Sequence, residues 1–329
     1  MGDGTKENPF TREDVLRLIE ENGGTAEGLD LSGKEFEESI DLSKLKLEGI
    51  ILNRAIFPTK IQASAPILEQ KGANFKEANL YEAQIQSAHL WFAQLQDALL
   101  AEANLKDADL SFANIEGTVL TRTYLQGVDL HGCKFSDGTK LGRANWGNYI
   151  LGEEKKWQFS LAENTYRYLK LWYTSAGIYD ISGEFFYREM TARRKALWVR
   201  KEKLKLIAGT PYEPKRTLKD FIPRKPLHWA WSMLLNILCG YGERPFRVVA
   251  SALVVVLGLA ATYYFWGSFS SSSFWDTLYY SAASFTALGY GQWAPQPTGW
   301  AKGMGAAEAF IGVFMIALFL VTFTRKMTR

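Results

Sequence analysis

The 329-residue chain is poor in the side chains that build covalent or metal-bound frameworks, with two cysteines, Cys133 and Cys239, and three histidines, His89, His131 and His228. Neither cysteine has a second thiol at Cys-x-x-Cys spacing or a histidine beside it, which excludes a disulfide framework and a zinc site and leaves two reduced, partly buried thiols. The histidines are scattered, and no nucleophile, metal or phosphate-binding motif occurs, so neither an enzyme nor a cofactor is expected. Charge of one sign is lacking too: 38 Lys and Arg face 35 Asp and Glu, a balance that gives no reason to expect nucleic acid as a partner. Met1 to Phe10 is polar and runs into the charged amphipathic segment Arg12 to Asn22, which is not the pattern of a signal peptide, so the N-terminal region is expected in the cytosol. The most informative absence is of long apolar runs. With 47% apolar residues overall, the first 240 residues hold no charge-free stretch of membrane-spanning length, whereas the last 85 hold two. The sequence reads as a soluble part joined to a membrane part.

A period of five is present in the soluble part. Steps of five from Phe75 through Leu80, Ile85, Leu90, Leu95 and onward to Leu130 and Phe135 meet a large apolar residue every time. Two positions before each stands a small one, alanine from Ala73 to Ala113 and then Thr118, Thr123, Val128 and Cys133. Leu42, Leu47, Leu52 and Phe57 carry the same step, preceded by Ile40, Leu45, Ile50 and Ala55, and an insert at Pro58 to Lys71 separates the two runs. Five fits neither a helix face at 3.6 nor a strand at 2, so each pentad is one edge of a larger coil. The pattern resembles the pentapeptide-repeat family. That resemblance implies a right-handed quadrilateral β-helix with four pentads per turn, the central and small residues pointing inward.

From about Gly138 to Gly242 the period disappears and the composition turns basic. Ala162 to Ser175 and Ile178 to Leu206 read as helices from the spacing of Ile181, Phe185, Met190 and Leu197. Arg193, Arg194, Lys195, Arg200, Lys201, Lys203 and Lys205 give the second a charged face, read as solvated, that would also suit anionic lipid headgroups. His228 to Cys239, rich in Trp and Leu but too short to span, reads as an interfacial helix.

Val248 to Trp266 is an uncharged run, and Met304 to Phe323 is a second, interrupted only by Glu308. Each is long enough to cross a hydrocarbon core of about 30 Å. Arg244 and Arg247 precede the first span, Arg325, Lys326 and Arg329 follow the second, and the positive-inside rule then puts both termini in the cytosol. Between the spans, a Ser-rich segment leads into Phe274 to Phe285, apolar but short, and then into Thr286-Ala287-Leu288-Gly289-Tyr290-Gly291. This order is that of a re-entrant loop, since irregular backbone at membrane depth is tolerated only where protein or water covers it. Glycines at alternate positions let consecutive carbonyls face one axis, and a ring of carbonyls replaces a cation's hydration shell. Gly240-Tyr241-Gly242 repeats the tripeptide without a preceding pore helix and reads as a loop.

The order of span, short helix, Gly-Tyr-Gly and span resembles the two-transmembrane potassium-channel family over about Arg244 to Arg329. The resemblance implies that residues 286–291 form an ion-coordinating filter, that Tyr279 and Tyr280 cuff it with Gln292 beside its outer end, and that Gly312 is the hinge of the second helix. Ala287 stands where the family has a threonine, removing the innermost ring of hydroxyls, and Gln292 replaces the usual Asp. Glu308, an intramembrane carboxylate, is expected to support the filter by hydrogen-bonding behind it or near the outer mouth, with snorkelling from the outer end of its helix as the alternative.

The expected architecture is multidomain: an N-terminal helical cap over residues 1–30, a pentapeptide-repeat β-helix over 31–141, a basic helical linker with an interfacial helix over 142–243, and an α-helical pore domain over 244–329 with two spans and a re-entrant pore helix. The expected function is a homotetrameric potassium channel of the inner (cytoplasmic) membrane, with potassium as its permeant ion and an unidentified cytosolic partner at the repeats. A nonselective cation channel is one alternative. A membrane-anchored repeat protein mimicking DNA is the other, disfavoured because the repeats are only mildly acidic.

Overall fold

The computed structural model describes residues 2–60, 70–197, 225–266, 273–289, 291 and 295–327. Two compact units make up the chain, one of Met1–Trp172 with Thr191–Asp220 and one of Tyr173–Met190 with Phe221–Arg329.

The first unit is a coil. Parallel bridges join residues twenty apart, as in Asn74 with Gln94, Asn79 with Leu99, Gln84 with Asn104 and His89 with Asp109, so four pentads complete one turn. Among the described residues each rung is a single bridge rather than an extended strand. From Phe75 to Leu130 every pentad turns a corner two residues after its central apolar residue. Glu77, Glu82, Ser87, Phe92 and Asp97 adopt positive φ there, as do Gly117 and Gly127 farther along. The small residue closes each corner, Ala78 N donating to Phe75 O at 3.0 Å and Ala83 N to Leu80 O at 3.1 Å. A left-handed corner costs a residue with a side chain about 1–2 kcal/mol, and burial of the central Leu, Ile or Phe contributes about 1.5–3 kcal/mol. The repeat therefore tolerates non-glycine corners because its interior is filled at every step: the central residues from Phe75 to Leu130 and the alanines between them are buried. Where Thr replaces Ala, its hydroxyl is satisfied by the coil itself, Thr118 and Thr123 donating to Leu95 O and Leu100 O at 2.7 Å.

The ladder outruns the visible period at both ends. It begins at the bridge of Phe10 with Phe36, before the expected boundary at residue 31, and continues past Gly138 to the bridge of Tyr124 with Asn145. There the partners lie 21 residues apart, because one extra residue slips the register and hides the pentad from a step of five. Helix α1 (Arg12–Glu21) sits near the start, opened by a capping box between Thr11 and Asp14. Short helix α2 (Gly152–Lys155) closes the far end with charged groups. Glu153 is wholly buried and accepts from Leu130 N at 3.1 Å and Thr165 Oγ1 at 2.9 Å. Glu154 accepts from Tyr166 OH and Lys195 Nζ, both at 2.6 Å. Lys156 bridges Asp109 at 2.7 Å and Asp129 at 2.9 Å.

Helices α3 (Phe159–Ser175) and α4 (Tyr179–Ala196) form in the expected segments, but α4 stops ten residues before Leu206: Leu197 is in a turn, and residues 198–206 lie outside the described residues. The basic face of α4 is partly engaged rather than purely solvated, Lys195 on Glu154 and Arg193 on Glu163 at 3.4 Å. Arg200, Lys201, Lys203 and Lys205 lie outside the described residues.

The second unit contains α5 (Pro226–Cys239), α6 (Pro245–Trp266), α7 (Phe274–Thr286) and α8 (Trp300–Met327). Helices α6 and α8 are long and apolar enough to cross a membrane, at about 33 Å and 42 Å for 1.5 Å per residue. Gly240-Tyr241-Gly242 forms a tight 3-10 turn between α5 and α6, with Tyr241 buried at φ 57 and its hydroxyl 2.9 Å from Ser232 Oγ.

Candidate functional site

Helix α7 descends between α6 and α8 and ends at Ala287, whose left-handed backbone (φ 54, ψ 24) caps it. Beyond α7 the backbone alternates over Ala287 (φ 54), Leu288, which is not in the left-handed region, and Gly289 (φ 90), and Gly291 is again left-handed (φ 56). Alternation of this kind turns successive carbonyls toward the same side, an arrangement that glycine allows at little cost. Thr286, Ala287, Leu288, Gly289 and Gly291 are exposed along the single chain, Leu288 to 85%. Tyr290 and Gln292 lie outside the described residues.

The Thr286 hydroxyl turns back on its own helix, donating to Ala282 O at 2.8 Å. Of the two adjacent tyrosines, Tyr280 is buried and donates to Ala301 O at 3.2 Å. The Tyr279 hydroxyl stands 3.4 Å from where a Cβ on Gly291 would be. Tyr279 thus lies beside the loop, whereas Tyr280 is held on α8 through Ala301 and against the Tyr263 ring of α6.

Behind α7, Glu308 of α8 has no exposed surface. It accepts from Tyr263 OH of α6 at 3.0 Å, and its second oxygen contacts Ser281 Oγ of α7. Ser281 Oγ also reaches Val256 O of α6 at 2.9 Å. One turn farther along α8, Gly312 packs on the end of α7: a Cβ there would fall 1.7 Å from Phe285 O. Helix α8 is continuous through this glycine, and the close approach alone requires a residue without a side chain.

At the other end of α6 and α8 a set of arginines is engaged. Arg325 pairs with the buried Glu243 at 2.9 Å and lies over the Phe186 ring at 5.1 Å. Arg244 pairs with Glu184 at 2.8 Å and covers Tyr187 at 4.8 Å. Sequence reasoning read Arg244, Arg247 and Arg325 only as topology signals and missed these partners, since Glu184, Phe186 and Tyr187 lie far away along the chain. Among the described residues no cluster of acidic, His or Cys side chains is arranged to hold a metal ion.

Comparison with known proteins agrees with both halves. Residues 251–329 match the family described as "Ion channel". Residues 71–100 and 103–139 match the family described as "Pentapeptide repeats", in eight copies. No curated protein matches the chain. Pentapeptide-repeat proteins are among the similar solved structures. A pentapeptide-repeat protein of the Arabidopsis thaliana thylakoid lumen shares 26% identity over 35% of this chain and 73% of its own, with a TM-score of 0.17. Rfr23 of the cyanobacterium Cyanothece 51142 shares 18% over 39% and 97%, at 0.16. A trypsin-treated form of QnrB1, a plasmid-mediated fluoroquinolone resistance protein, shares 20% over 37% and 69%, at 0.20. At such TM-scores these likenesses carry nothing about function.

Proposed function

From a chain that joins pentapeptide repeats to an ion-channel domain in one membrane protein, we propose a homotetrameric, potassium-selective channel in which residues 286–291 of each copy form one quarter of the filter. The left-handed backbone at Ala287, Gly289 and Gly291, suspended between two helices of spanning length, is the observation that carries this reading. Exposure of the same residues along one chain supports closure by symmetry, because a single loop offers carbonyls on one side of an ion only. Tyr279, Tyr280 and Gln292 support the filter. The chain sits in the inner membrane with both termini cytosolic, the arginines and lysine at the ends of α6 and α8 supporting that orientation. Gly312, assigned as a hinge on resemblance, acts in this reading as a packing glycine.

In the same reading the coil is a right-handed quadrilateral β-helix that serves as a cytosolic regulatory or partner-binding module, and the basic linker rests on anionic lipid. A nonselective cation pore is the second reading. Its support is specific: Ala287 brings no hydroxyl and that of Thr286 is spent on Ala282 O. Recording the purified protein in a planar bilayer with potassium on one side and sodium on the other separates the two. A reversal potential displaced toward potassium is expected, one near zero selects the nonselective pore, and no current under any condition rejects both.

A further inference from the structure

Three helices meet at one buried carboxylate. Val256 and Tyr263 come from α6, Ser281 from α7 and Glu308 from α8, and all the polar contacts lie inside the helix packing rather than toward lipid. A carboxylate at this depth is costly unless paired, so its retention demands a role. The spacing shows what the contact fixes. Ser281 and Phe285 are one turn apart on α7, Glu308 and Gly312 one turn apart on α8, and the two turns face each other, Ser281 on Glu308 and Phe285 O on Gly312. The Gly312 contact sets how closely the helices approach. It does not by itself stop α7 sliding along α8, because a smooth backbone face offers no directional bond. The Glu308 contact is directional. Thr286 and Ala287 follow Phe285 immediately, so the height of α7 on α8 is also the height of the loop.

We propose that Glu308 is a positioning residue for the filter: through Ser281 it fixes the axial register of α7 on α8 and so the height of residues 286–291 in the ring, while Tyr263 holds the carboxylate from α6. This rests on the channel reading for its functional consequence, but not for its structural one. The Ser281 hydroxyl has one proton and faces two acceptors, Val256 O and Glu308 Oε1. A glutamine at 308 would resolve that competition: its amide donates to Ser281 Oγ, the serine proton goes to Val256 O, and its carbonyl still accepts from Tyr263.

The test uses the full-length protein with Glu308→Gln, Glu308→Ala, Ser281→Ala and the double alanine variant, each checked for the wild-type oligomer on a sizing column. Two quantities are read: the permeability ratio of potassium to sodium, and hydrogen-exchange protection of the α7 amides. Glu308→Ala and Ser281→Ala should each lower α7 protection at least tenfold and the permeability ratio at least fivefold. The double variant should fall short of the sum of the two single effects, because the Ser281–Glu308 bond is lost in both, while the Tyr263 and Val256 contacts are lost one in each. Glu308→Gln should keep both readouts near wild type. Unchanged α7 protection in both single variants overturns the inference, as does additivity in the double variant or a Glu308→Gln protein as impaired as Glu308→Ala. If wild type proves unselective or silent, the channel reading fails, and the exchange measurement still decides whether Glu308 holds α7.

Discussion

Substitution of Gly312 by alanine tests the α7–α8 contact most directly, because its consequence follows from one distance. A methyl group at this position would stand 1.7 Å from Phe285 O and 2.6 Å from Phe285 C. An unstrained carbon–oxygen contact is about 3.3–3.6 Å, so the two helices must separate by roughly 1.6 Å or the end of α7 must unwind. Neither neighbour is the mobile tip of a long side chain, and both responses also disturb the Glu308 contact one turn away. Overpacking of this kind costs about 1–3 kcal/mol, and loss of the bonds around Glu308 adds about 0.6–1.7 kcal/mol on the scale measured for bonds between membrane helices. A total of ~2–5 kcal/mol is therefore expected in the stability of the pore domain, read as a fall in thermal midpoint of the detergent-solubilised protein. The bi-ionic reversal potential should collapse toward zero in the same variant, since the filter follows directly after Phe285. A hinge predicts the opposite division: selectivity and thermal stability kept, open probability reduced. An alanine variant with unchanged midpoint and selectivity would refute the packing argument.

Ala287→Thr adds a hydroxyl to each chain at the inner end of the filter, so block by internal barium should strengthen; the β-branched side chain must accept φ 54, at about 1–2 kcal/mol of strain, and unchanged barium affinity would show that residue 287 does not line the ion path. Burial first, and the charge of Asp129 second, hold the Glu153 carboxyl well above the usual carboxylate range. A group raised on folding contributes stability that is complete below its unfolded range and is lost as pH rises through its folded one. Glu153→Gln keeps the bonds from Leu130 and Thr165, so it should match wild type in acid and unfold at a higher temperature from neutral pH upward; parallel pH profiles would count against this. Lys156→Met leaves Asp109 and Asp129 facing each other nearly buried, and should destabilise the coil's closing end by ~1–2 kcal/mol, visible as faster hydrogen exchange at residues 128–131.

Much of the second unit was legible in the sequence because its signals are local. Runs without charge marked α6 and α8, a short apolar run marked α7 to within one residue, and Gly-Tyr-Gly acquired meaning from its neighbours. The pentads were legible for the same reason, each being complete within five residues. What stayed hidden depends on distance along the chain. A single extra residue after Phe135 ended the visible period but not the ladder. That Glu308 needs a partner follows from its burial cost, yet nothing in the order of residues names Ser281 or Tyr263. Glu184 likewise sits in what reads as an ordinary polar helix until folding sets it against Arg244.

The coil behaves as a screw thread cut in units of one turn. Across the insert at residues 58–71, bridged residues such as Asp41 and Asn74 lie 33 apart rather than 20, yet the rungs on either side still align. Extra chain can leave the thread at a corner and rejoin it without altering the pitch. Evolution, or an engineer, can therefore add or remove twenty residues and shift the closing end by about 4.8 Å, the spacing of neighbouring strands, without rotating it. Adding or removing five would instead turn that end by one side of the coil, so the length of this unit is free only in whole turns.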